Sequence, residues 1–117
     1  MIIRGFTTAV TALVLSACQH GTSAVPAVLA DGSDETITAL KAHLAEAMGV
    51  ANVSLGAGDP TVMSSVSVLP PRLGDHETRS PALPTVFHLM LERDACYAVR
   101  EGSEERLNLS GVPCRAL

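Results

Sequence analysis

The sequence has no tryptophan, one tyrosine and two phenylalanines in 117 residues, too few aromatics for a base-stacking platform. Basic charge is also scarce. Against 12 Asp and Glu stand 8 Lys and Arg, for a net charge of −4, and no two basic residues are adjacent. Binding a phosphate backbone takes a basic stripe, so the composition argues against nucleic acid as a partner. No apolar run reaches the length of about 20 residues that a membrane-crossing helix needs. There is no G-x-S-x-G elbow and no P-loop, and Gly56-x-Gly58 lacks the third glycine and following helix of a dinucleotide fingerprint. Those two glycines read as a turn. A chain this short is expected to hold one domain.

Apolar residues are plentiful at 47%, and the first run of them is placed distinctively. Residues 1 to 17 carry one positive charge at Arg4, then an uncharged apolar stretch from Gly5 to Leu15, then small residues before Cys18. That is the layout of an export leader. Gln19 and His20 interrupt the run before it is long enough to span a bilayer.

Leu15-Ser16-Ala17-Cys18 resembles the lipobox of bacterial lipoproteins, in which a small residue precedes the cysteine that is lipidated and becomes the first residue of the mature chain. The resemblance covers the leader and these four residues only. It implies a signal peptide at 1–17 and a lipid on Cys18, with 100 residues remaining and a net charge of −5 once Arg4 is lost. A single acyl chain binds a bilayer marginally at about 0.8 kcal/mol per buried CH₂, whereas two or three anchor it firmly. Gln19 stands where Asp would imply inner-membrane retention, so the resemblance points to the outer membrane, facing the periplasm. The competing reading is a secreted chain cut after Val28-Leu29-Ala30 and beginning at Asp31, although that cut lies far beyond the apolar run.

With Cys18 assigned to lipid, Cys96 and Cys114 are left as an even pair in an exported, oxidising setting, where a disulfide is expected. No C-x-x-C and no nearby histidine pair supports a metal alternative. No cofactor is implied anywhere in the chain.

Residues 18–30 mix Gly, Thr, Ser and Pro with small apolar residues and read as the lipidated cysteine and a flexible tether of about 20 Å reach. The domain is then expected at 31–117. Ser33 or Asp34 caps a helix from Asp34 to Met48, whose Ile37, Leu40, Leu44, Ala47 and Met48 form one apolar stripe and which Gly49 ends. His43 lies beside that stripe as an edge residue. Val53 and Leu55 alternate with polar neighbours as a short strand, and Met63 to Leu69 forms another before Pro70-Pro71 stop it. A thirteen-residue Pro-bounded loop, Arg72 to Pro84, follows. Thr85 to Glu92 reads as a central strand with Phe87, Leu89 and Leu91 on one face. Ala95 to Arg100 and Glu105 to Leu109 complete an antiparallel meander. Folding that last hairpin at Gly102-Ser103 would bring Cys96 and Cys114 together. The expected fold is α+β: an N-terminal amphipathic helix on a small, mainly antiparallel sheet of four to five strands.

Asp75-His76-Glu77, with Arg72 and Arg79 beside it, is the most reactive-looking stretch, but adjacent residues do not converge readily on one ion and a solvated loop is the plainer reading. Glu101, Glu104 and Glu105 read as an exposed acidic rim, with a weak cation site as the lesser option. His88 is expected on the solvent side of the sheet. Arg93, Arg100, Arg106 and Arg115 are interleaved with acids, as on a soluble sheet face with some cross-strand pairing. The sequence thus favours a non-catalytic lipoprotein of the envelope, anchored in the membrane and contacting another envelope protein or cell-wall material. The alternative is a small binding or inhibitor module that uses loop 72–84, and an enzyme using His76 and Glu77 is the third possibility.

Overall fold

A computed structural model describes residues 23–71 and 83–117, together with Gly5. Helix α1 occupies Asp34–Met48, as its sequence signals predict. The Ser33 side chain accepts the Thr36 N–H at 3.2 Å, satisfying one orphan donor of the first turn, where Asp34 and Glu35 complement the helix dipole. Gly49 ends the helix with φ 67°, a left-handed conformation that glycine adopts without a Cβ clash. Leu40 and Leu44 are fully buried, so the apolar stripe faces the core.

Six strands form the sheet: β1 Val25–Leu29, β2 Ser65–Val68, β3 Thr85–Glu92, β4 Ala95–Arg100, β5 Arg106–Asn108 and β6 Cys114–Ala116. The order is β5-β4-β3-β1-β6, with β2 also paired to β3, and every pairing is antiparallel. Strand β3 is central as expected. Along one edge it pairs with β4, while its other edge is shared by β2 at residues 85–88 and β1 at residues 90–91.

The α+β class and the antiparallel sheet agree with the sequence, but three expectations need correction. The sheet has six strands rather than four or five. Helix α1 is preceded by a strand and so is not the first element. The tether does not extend to residue 30, because Val25–Leu29 lies inside the sheet, with Ala27, Val28 and Leu29 all 0% exposed. Leu29 N–H also donates to Pro60 O at 2.8 Å, which docks the 59–63 turn on this strand. In turn, the Asp59 carboxylate closes that segment by accepting the Thr61 hydroxyl and N–H at 2.6 and 2.9 Å.

The expected strand at Val53 and Leu55 reduces to one bridge, Leu55 to Val68, although both side chains pack on the core. Gly56 donates to Ser67 O at 2.8 Å, and a Cβ there would stand 3.2 Å from the Ser67 Cβ, so close backbone approach favours glycine. The core joins Ala27 and Leu29 of β1, Leu40 and Leu44 of α1, Val66 and Val68 of β2, Phe87 and Leu89 of β3 and Ala98 of β4. Leu109 and Val112 close it from the chain beyond β5.

Candidate functional site

An open groove of about 630 Å³ lies beside the disulfide. Leaving β5, the chain turns at Ser110-Gly111, with Gly111 at φ 80° and Val112 N–H bonded to Leu109 O at 3.2 Å. His43 reaches from α1 to the Ser110 carbonyl, Nε2 to O 2.7 Å, and so ties that turn to the helix. Cys96, Cys114, Leu91, Leu109, Val112 and Asp94 line the groove. The expected Cys96–Cys114 bridge is present, with Cα atoms 5.9 Å apart.

The β4–β5 hairpin brings the chain back to Cys96 as expected, with Leu109 N–H donating to Cys96 O at 3.1 Å, and what the sequence did not show is that Cys114 lies in a further strand. Cys114 belongs to β6 and stands opposite Leu29 of β1, so the disulfide links β4 to β6 across the sheet. Pairing consumes both thiols, which leaves Asp94 as the groove's ionisable side chain. A mixed polar and apolar lining, with Asn108 and Ser110 beside the apolar residues and a single carboxylate, forms a recess without an acid/base pair.

Ser65, His88 and Glu101 make a row on the sheet that has the residue types of a nucleophilic relay. Ser65 Oγ lies 3.4 Å from His88 Nδ1, and His88 Nε2 lies 3.7 Å from a Glu101 carboxylate oxygen. Neighbouring strands place them: Ser65 stands opposite His88 in the β2–β3 ladder, and Glu101 follows β4. The row is solvated, with the His88 and Glu101 side chains 40% and 65% exposed, so His88 lies on the wet side of the sheet as the sequence implied. Both contacts are long for strong hydrogen bonds, and Ser65 sits in regular strand geometry rather than on a strained turn. The row amounts to a polar cross-strand contact.

Arg106 shows the expected cross-strand pairing in the clearest form. Its guanidinium lies 2.6 Å from a Glu92 oxygen and 4.4 Å from the Tyr97 ring centroid, so it lies across β4 to reach β3. The Glu92 hydrogen bond raises the Arg106 pKa above its ordinary value. Arg100 donates to the Ala47 carbonyl at 3.4 Å, near the negative end of α1, and lies 5.5 Å from the Phe87 ring centroid. Arg115 donates to the Thr61 carbonyl at 3.3 Å. These arginines brace the fold and do not converge on one point. Glu101, Glu104 and Glu105 are spread around the β4–β5 turn, where Glu104 and Glu105 are exposed. Among the described residues no group of three or more His, Cys, Asp or Glu is placed to hold a metal ion.

Cys18, Arg72, Asp75, His76, Glu77 and Arg79 lie outside the described residues, as do the leader apart from Gly5 and most of loop 72–84. Among the described residues no helix is long and apolar enough to cross a membrane. No family model, curated protein or solved structure matches the chain.

Proposed function

We propose that the chain is a small lipoprotein of the bacterial cell envelope, anchored through Cys18 to the outer membrane and serving as a non-catalytic module that contacts an envelope protein or cell-wall material. The leader and the lipobox-like Leu15-Ser16-Ala17-Cys18 carry the reading, and one structural observation supports it over its competitor. Cleavage after Ala30 would delete β1 and with it the fully buried Ala27, Val28 and Leu29. Cleavage before Cys18 leaves that strand in place. The Cys96–Cys114 disulfide accords with an oxidising compartment.

Replacing Cys18 with Ser tests the anchor in cells. The proposal expects the parent in the detergent-soluble envelope fraction and C18S released or retained uncleaved. Identical lipid attachment of both would contradict it. The second reading, a binding or inhibitor module that uses loop 72–84, rests on the proline-bounded length of that loop. Exchanging the loop for a short Gly/Ser linker separates the two: loss of a crosslinked partner with the fold intact favours the loop, and an unchanged partner excludes it.

A further inference from the structure

We infer that the domain sits on the lipid surface by one pole, formed by the start of β1 and the β3–β4 turn, and holds the β4–β5 turn away from the bilayer. This inference rests on lipidation of Cys18 and adds the orientation that the anchor imposes. Its starting point is the pairing of β1. Val25 stands opposite Leu91 and Pro26 opposite Met90, antiparallel to β3. The chain ahead of Val25 therefore leaves the sheet in the direction in which β3 runs, toward Arg93 and Asp94. Leu117 N–H donates to Pro26 O at 2.9 Å, which places that residue at the same pole. The apolar side chains there are uncovered: Val25 is 39% exposed and Leu117 69%.

Chain length does the rest. Seven peptide steps separate Cys18 from Val25, and whatever their conformation they span at most about 25 Å. Strand β3 has eight residues and so runs about 26 Å from one pole to the other. At the far pole lie the β4–β5 turn with Glu101, Glu104 and Glu105, the end of β2 beside the start of β3, and the C-terminal end of α1, marked by the Arg100 contact with Ala47. Setting that far pole on the lipid would lift Val25, opposite Leu91, by about 20 Å along β3 and use most of the reach of that connection. The near pole meets the lipid with chain to spare. The acidic turn is thereby presented to the periplasm, where a protein or cell-wall partner would meet it.

Photo-crosslinking in cells producing the full chain tests the orientation. A benzoylphenylalanine is placed at Asp94 in one variant and at Glu104 in another, both in turns. After irradiation, intact-protein mass spectrometry reads phospholipid adducts and, in the same spectra, the lipid on Cys18. The expected result is at least tenfold more adduct from position 94 than from position 104. Inserting twenty Gly/Ser residues after Ser23 should bring that ratio toward one. Equal or reversed yields on chains that carry the Cys18 lipid would overturn the orientation and leave the anchor standing. Chains with no lipid on Cys18 would overturn both.

Discussion

Leu29 stands opposite Cys114 across the β1–β6 ladder, and the Cys114 sulfur is bonded to Cys96 of β4. The disulfide thus fixes β6 over the sheet, and β6 covers the edge of the first strand. A covalent link 18 residues apart in sequence restrains the unfolded chain and holds the last strand, three residues long, where its own ladder is short.

The double variant C96S/C114S should therefore lose about 3 kcal/mol of stability, the chain-entropy value for a loop of this size. Urea denaturation at neutral pH reads the change, and reduced parent protein should match the double variant. An unchanged midpoint would show that β6 holds its place without the bridge.

Strand β1 makes a stronger demand. A chain beginning at Asp31 should fail to fold, because β6 loses the strand it pairs with and the core loses Ala27 and Leu29. The milder L29A variant should fold and lose about 2–5 kcal/mol. Far-UV circular dichroism with thermal melting distinguishes these outcomes, and a cooperative melt from the Asp31 chain would contradict the role given to β1.

Much of this architecture was legible because local signals agreed with one another. Helix α1 has the bounds that its caps and stripe predict, and β3 and β4 have the bounds set by alternation and by Arg93-Asp94 between them. Strand β1 was missed for a physical reason. Ala27, Val28 and Leu29 are buried in succession, so the segment shows no alternation, and Pro26 beside Gly- and Ser-bearing neighbours resembles a linker. A short continuous apolar run is the mark of a strand covered on both faces, and that was the available signal. Strand β6 has three residues and no pattern at all. The cysteine count implied its disulfide and the β4–β5 hairpin brings the chain back to Cys96, while the pairing of Cys114 with β1 left no signal.

Ser33 should contribute through its cap. Its hydroxyl accepts the Thr36 N–H, so S33A leaves that donor without its partner and should cost about 1 kcal/mol. S33N, which keeps an acceptor for the Thr36 N–H and sets no second carboxylate beside Asp31, should recover most of that loss. Chemical denaturation of both variants provides the check, and equal destabilisation would argue against the cap.

Asp31 and Asp59 set an acid limit. The Ser33 hydroxyl, then the Thr36 hydroxyl and the Ser33 N–H, hold Asp31 below the usual carboxylate range, and the Thr61 hydroxyl followed by its N–H does the same for Asp59. A carboxylate whose folded pKa is depressed stabilises the fold above its ordinary value of about 3.9 and loses that contribution as pH falls through the folded value. The D31N/D59N variant should show a flatter decline in melting temperature below about pH 4 than the parent. Superimposable acid limbs would refute the assignment.

The lipid anchor proposed at Cys18 would decide where the whole molecule works, and the mass of the mature N-terminal peptide from envelope-extracted protein reads it directly. A peptide that begins at Cys18 and carries a diacylglycerol and an acyl chain is the expected result. A peptide that begins at Asp31, or one that retains Met1 with an unmodified cysteine, would contradict the lipoprotein reading.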